Sequence, residues 1–137
     1  EDLEAARAAL PETPFKRARH VIAENTRTRD ACAAMQAGDA ERLGALMNES
    51  DKSLRVNYEV TSAELDAMTA VARSLDGCFG ARMTGAGFGG CTINLVAKAE
   101  AESFARKLLA GYREASGIAG EIIVSEPAGG AEVLIEE

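Results

Sequence analysis

Positive charge is in short supply: 15 Lys and Arg stand against 22 Asp and Glu, a formal net charge of -7. Nucleic-acid binding depends on Lys and Arg to displace counterions, so DNA, RNA and anionic membrane surfaces are excluded as partners. Long apolar runs are absent as well. The stretch Ile93 to Ala97 falls far short of the ~20 residues that a spanning helix needs, and no basic-then-apolar leader opens the chain. A soluble, cytoplasmic protein is expected. The three cysteines, Cys32, Cys78 and Cys91, are odd in number and widely spaced. They lack the paired spacing of a zinc site or a disulfide framework, which leaves free thiols in a reducing compartment. There is one histidine, His20, and neither an internal repeat nor a low-complexity tract.

What is present suits a folded domain. Hydrophobic residues make up 47% of the chain and charged residues 27%, away from the composition of disorder. A length of 137 residues fits one domain with one core. The chain opens on Glu1, not Met, and enters a helical-looking stretch from Asp2 to Leu10, as a piece of a longer protein would.

Thr13 before Pro14 predicts a helix from about Pro14 to Gln36, with a polar middle over Asn25 to Asp30. Gly38 is placed to stop it and Asp39 to cap the next helix, whose Leu43, Leu46 and Met47 share one face. Thr61 with Glu64 forms a capping box ahead of the stripe Leu65, Met68, Ala72 and Leu75, with Gly77 as its stop. The period then changes. Ala81 to Thr84 and Cys91 to Val96 read as strands, the second with Cys91, Ile93 and Leu95 on a buried face. A helix from about Ala99 to Ser116 carries Ala101, Phe104, Leu108 and Tyr112 on one side and stops at Gly117. Glu121 to Val124 and Glu132 to Ile135 read as two more strands. The pattern predicts an α+β domain with a mainly antiparallel sheet covered by helices.

The densest signal lies between the first two strands, in Thr84-Gly85-Ala86-Gly87-Phe88-Gly89-Gly90. Glycine tolerates positive φ and leaves room above the backbone, so such a loop can aim amide groups at an anion. Composition alone equally allows a tight connection in which the glycines only permit the bend. A dinucleotide fingerprint needs a helix after its last glycine, where a strand is read here. A protein-kinase loop fails because Lys98 follows Gly90 too soon and no His-Arg-Asp or Asp-Phe-Gly segment comes later. A Walker loop fails for want of Gly-Lys-Ser or Gly-Lys-Thr.

Arg82 to Thr92 resembles the third signature motif of galactokinases, members of the GHMP kinase superfamily, and other blocks agree in order. These are Arg17-Ala18-Arg19-His20-Val21 with Glu24-Asn25, then Ser53-Leu54-Arg55 with Tyr58-Glu59-Val60-Thr61 and Glu64-Leu65-Asp66, and the late Pro127 with Gly130-Ala131. The chain departs from the family pattern at Asp51, where histidine is usual, at Val56 and Asn57, where aspartate is frequent, and at Ala86, where glycine is usual. The resemblance implies a single C-terminal GHMP kinase domain over residues 1–137, with a ferredoxin-like arrangement. It implies a longer parent that uses ATP and Mg2+ to phosphorylate galactose, with arabinose, galacturonate or N-acetylgalactosamine as alternative sugars. The family also includes non-catalytic sugar-and-ATP sensors that contact a repressor.

The family's sugar signature, phosphate-binding loop, catalytic aspartate and arginine lie upstream of the matched region. No catalytic or metal residue is therefore assigned to this chain, and no cofactor is expected to bind it alone. Thr84 to Gly90 would line the ATP-facing cleft by backbone shape, and the surface meant for the upstream half would be exposed or self-associate. His20 lacks an obvious partner in sequence and is read as packed or superficial, not as a base. Cys91 is read as a small buried residue; Arg55 and Arg82 could face the cleft, where a guanidinium suits a phosphate, but are more simply read as paired with surface acids.

Overall fold

A computed structural model of the chain describes residues 2–130 and 133. After a short α1 (Asp2–Ala5) and a single 3-10 turn (Arg7–Ala9), the long helix α2 spans Glu12–Ala37. It begins ahead of the expected Pro14, with Pro11 flanking it and no side-chain cap, so Thr13 lies inside the first turn. Pro14 is tolerated there because the first four amides of a helix have no carbonyl partner to lose. The polar middle stays helical because α3 (Ala40–Ser53) gives it polar partners. Ser50 donates to Glu24 at 2.7 Å, Arg27 pairs with both Glu24 and Glu49, and Arg42 pairs with Asp30. Between the two helices Gly38 adopts φ 69°, and the Asp39 carboxylate accepts from the Arg42 amide at 2.8 Å.

Helix α3 runs into a wider turn of π type (Leu54–Tyr58) that ends at Glu59 with φ 58°. Helix α4 (Ala63–Arg73) is capped by Ser62, whose hydroxyl accepts from the Leu65 amide, and not by Thr61. Both residues are cap-competent neighbours, and only the backbone, extended at Ser62, separates them. Gly77 is not the helix stop. It sits beyond, at φ 82°, where its carbonyl accepts from the Ala97 amide at 2.8 Å.

Strands β1 (Cys78–Thr84) and β2 (Cys91–Val96) pair antiparallel, with Ala81 opposite Asn94 and Met83 opposite Thr92. β1 starts earlier than the sequence pattern suggested, because Gly80 belongs to it. A Cβ on Gly80 would lie 2.2 Å from the Gly44 carbonyl, and one on Gly44 would lie 2.1 Å from the Phe79 carbonyl. These two glycines let α3 rest directly on the strand. Helix α5 (Ala101–Ser116) buries Phe104, Leu108 and Tyr112, as its stripe predicts, and ends at Gly117 with φ 73°.

Two apolar clusters meet across α4. Ala72, Ala81, Phe104 and Leu108 form one, and Leu54, Leu65 and Met83 the other, with Val60 packed against it. The architecture is α+β, and its sheet is antiparallel with two strands among the described residues, fewer than a ferredoxin-like arrangement carries. The strand expected over Glu121 to Val124 is not formed. That segment pairs with no described residue, Ile122 leans on the core and Ile123 is 87% exposed; alternation makes a strand only where a neighbour completes the ladder. The strand expected over Glu132 to Ile135 lies, apart from Val133, outside the described residues. No helix among the described residues is long and apolar enough to cross a membrane.

All three cysteines are unpaired, yet Cys91 is exposed, contrary to the expected burial, and Ile93 beside it is 54% exposed. Period-two alternation gives the sidedness of a strand but not which side is covered. Native thiol titration is therefore expected to label Cys32 and Cys91 quickly and Cys78 slowly. Cys78 is half-buried, and its desolvation pushes the thiol pKa up. Slow reaction of Cys91 in a C32A variant would show that its strand face is covered.

Candidate functional site

The loop from Gly85 to Gly90 joins β1 to β2, and every residue in it except Ala86 has positive φ. The values are 84° at Gly85, 86° at Gly87, 60° at Phe88, 136° at Gly89 and 99° at Gly90. A two-residue hairpin would need far less. The glycines divide into two kinds. Gly87 is wedged: a Cβ there would stand 2.1 Å from the Val60 carbonyl, and the next amide, of Phe88, donates to that same carbonyl at 2.7 Å. Gly85, Gly89 and Gly90 face open space, with no heavy atom within 4 Å of where a Cβ would be. Their backbone is thus free for close approach by a ligand. Thr84 and Ala86 are exposed, and the Phe88 ring is 75% exposed at the tip.

The base of the loop is held from α3 and α4. Asp51, 1% exposed, accepts from the Met83 amide at 3.0 Å through Oδ1. Its Oδ2 accepts from Arg73 at 2.8 Å and from the Thr69 hydroxyl at 3.2 Å. Asn48 accepts from the Ala81 amide at 3.0 Å, and Arg73 donates to the Ala81 carbonyl at 3.0 Å. Sequence inspection missed this set, because an Asp and an Asn on a helix usually face solvent. Their only signal is the shared spacing with Gly44 on the side of α3 that meets β1.

A second constellation fixes the turn that carries Val60. His20 is buried, its Nδ1 lies 2.9 Å from the Ser53 hydroxyl, and its ring stacks on Tyr58 at 4.5 Å. Arg17 donates to the Asn57 carbonyl and pairs with Glu59 at 2.7 Å, while Lys16 pairs with Glu59 at 3.0 Å. The blocks around Arg17 to His20 and Ser53 to Val60 thus converge on the loop's anchor. His20 acts here as a packed, hydrogen-bonded residue. Arg82 is half-buried, with Nε donating to the Met83 carbonyl at 3.1 Å, and Arg55 is exposed. Burial draws the Arg82 pKa down, against the attraction of Asp51.

Burial, and then the charges of Arg27, Arg82 and Arg17, hold the His20 pKa below its ordinary 6.5. The unfolded chain therefore binds more protons than the folded one in that window. The stability of the neutral ring is present above the unfolded value and is lost as pH falls through the folded one. Glu59, held low by hydrogen bonds from Arg17 and Lys16, has its window at lower pH. Between about pH 7.5 and 5.5 the melting temperature should fall more steeply in the wild-type chain than in His20→Gln. Parallel profiles would contradict this.

An apolar groove of about 860 Å³ lies between β2, α5 and the segment around Ile122, bordered by Gly89 and Gly90 at one end. Leu65, Ile93, Leu95 and Phe104 give it apolar walls, while Glu64, Lys98, Glu102, Glu121 and Glu126 also line it. Among the described residues no group of three or more His, Cys, Asp or Glu is placed to hold a metal ion.

Residues 31–114 match the family described as GHMP kinases C terminal. A galactokinase of Roseiflexus sp. (strain RS-1) is 44% identical over 95% of this chain, and the human galactokinase is 43% identical over 98%. In each case the match covers 33% of the relative, so the chain spans about a third of the length of the curated relatives it matches. Among solved structures, the galactokinase of Lactococcus lactis, complexed with galactose, superimposes with a TM-score of 0.82 at 43% identity. That match covers 86% of this chain and 31% of the other. The mevalonate kinase of L. major, complexed with R-mevalonate, gives a TM-score of 0.68 at 27% identity, over 84% of this chain and 34% of that one. The chain therefore belongs to the GHMP kinase C-terminal family and is homologous to the C-terminal part of galactokinases.

Proposed function

We propose that this chain is the C-terminal domain, residues 1–137, of a longer cytoplasmic kinase that transfers the γ-phosphate of ATP to the 1-hydroxyl of galactose. Thr84, Gly85, Ala86, Gly87, Phe88, Gly89 and Gly90 line the ATP-facing side of its cleft. The observation that carries this is the division of the loop's glycines. Gly87 locks the loop onto Val60, while Gly85, Gly89 and Gly90 leave bare backbone beside open space. A polyphosphate suits such a surface, since amides and the absence of side chains permit close approach.

ATP therefore fits the residues present. The ligands of Mg2+ are assigned to the nucleotide's phosphates and to the upstream part, as the family resemblance implies. Phosphoryl transfer also needs a positioned hydroxyl and groups that neutralise the transferring phosphoryl, which fall to the upstream part of the protein. The chain by itself is inactive, and its exposed Phe88 and Ile93 are covered by that upstream part or by a second copy.

The test is coupled ADP release with Mg-ATP and galactose, run on the full-length protein and on this chain. Turnover by the first and none by the second is expected. Preference for arabinose, galacturonate or N-acetylgalactosamine would reassign the sugar. Binding of sugar and ATP without turnover would make the protein a sensor. Turnover by the 137-residue chain would overturn the division of labour.

A further inference from the structure

We infer that Asp51 is a positioning residue for the glycine loop, fixing its base through the Met83 amide. This rests on the reading above for its consequence in catalysis, but not for its geometry.

A strand paired on one side presents unbonded amides on the other. β1 pairs with β2 on one edge, and α3 reaches the other, brought close by Gly44 against Gly80. Asn48 takes the amide of Ala81, and Asp51 takes the amide of Met83. A neutral acceptor suffices for Ala81. At Met83 the chain places a carboxylate instead, nearly fully buried and compensated by Arg73. Burying a charge is unfavourable unless it is paired and hydrogen-bonded. Both oxygens are used, and Arg73 also bonds the Ala81 carbonyl and the Thr69 hydroxyl. One closed network thus joins α3, α4 and β1.

Met83 is two residues before Gly85. The loop consequently has two anchors, Asp51 at its base and the Val60 carbonyl in its middle. Gly85, between them, has no side chain to hold it. Loss of the first anchor frees the entry of the loop while leaving the apolar cluster around α5 in place.

The experiment compares Asp51→Ala and Asp51→Asn with wild type in the full-length protein, by amide hydrogen exchange and steady-state kinetics. Exchange at Met83 and Phe88, whose amides are bonded to Asp51 and Val60, should quicken about tenfold in Asp51→Ala while Ala101–Ser116 stays within about twofold. Asp51→Asn keeps an acceptor for Met83 but loses the pairing with Arg73, and should fall between. If Asp51→Ala does not fold, a loop-selective rise in Asp51→Asn carries the inference. KM for ATP should rise about tenfold, with kcat changed by less than about threefold. Exchange that quickens equally in loop and α5, or in neither, overturns the inference. A selectively loosened loop with an unchanged KM for ATP supports the positioning role and removes the loop from the nucleotide site.

Discussion

Gly44→Val is expected to destabilise the chain by about 4 kcal/mol, enough to lower its melting temperature by roughly 10 °C or more. A Cβ at position 44 would meet the Phe79 carbonyl oxygen at 2.1 Å, its carbon at 2.3 Å and the Phe79 Cβ at 2.7 Å. Two of these atoms are backbone in a paired strand and cannot step aside. Relief must come from separating α3 and β1, which stretches the Asn48 and Asp51 hydrogen bonds to Ala81 and Met83. Overpacking alone costs about 1–3 kcal/mol, and weakening a buried ion pair's supports adds to it. Gly38→Ala is the control. It has φ 69° but no atom within 4 Å of the new Cβ, so its cost stays near 1 kcal/mol, from backbone strain only. Thermal or urea unfolding of both variants decides the matter. Melting of Gly44→Val within a few degrees of Gly38→Ala would mean that helix and strand are not in contact at these glycines.

What could be read from the sequence was local. Gly38 with Asp39 stops one helix and caps the next within a few residues, so the α2–α3 hairpin was legible. So was α5, whose stripe repeats over several turns before Gly117. The loop's boundaries and its positive φ followed from glycine density. What stayed hidden depends on partners distant in sequence. Gly80 looks like a strand breaker until Gly44 is known to lie against it. Cys91 and Ile93 alternate like a buried face, but no described element covers them. Glu121 to Val124 has strand composition but no neighbour to bond among the described residues. Asp51, legible in the sequence only as a departure from the family pattern, is buried and bonded to Met83, Arg73 and Thr69. The family resemblance depended on spacing and residue identity, not on these contacts, which is why it held where individual placements shifted.

Gly87→Val should damage the fold before it damages chemistry, the reverse of what the resemblance to the kinase family's loop implies. A valine in a glycine loop near phosphates is expected to block the ligand and spare the scaffold. Here the new Cβ would stand 2.1 Å from the Val60 oxygen and 2.9 Å from the Val60 Cβ, within the chain itself. Its φ of 86° adds strain that a β-branched residue tolerates poorly. The loop must lift, breaking the Phe88-to-Val60 hydrogen bond and uncovering the cluster of Leu54, Leu65 and Met83 beneath Val60. A loss of about 3 kcal/mol or more is expected. Gly85→Ala and Gly90→Ala meet nothing within 4 Å and should cost about 1–2 kcal/mol, from φ alone. These are the substitutions that put a methyl into the open space where the proposed function places phosphate. They should lower kcat/KM of the full-length protein by about tenfold or more, with melting lowered by only a few degrees. Calorimetry of the three variants beside ADP-release kinetics separates the two roles. A Gly87→Val protein that melts like wild type would show that Val60 is not the anchor. Gly85→Ala and Gly90→Ala proteins with full activity would show that no phosphate comes close to those positions.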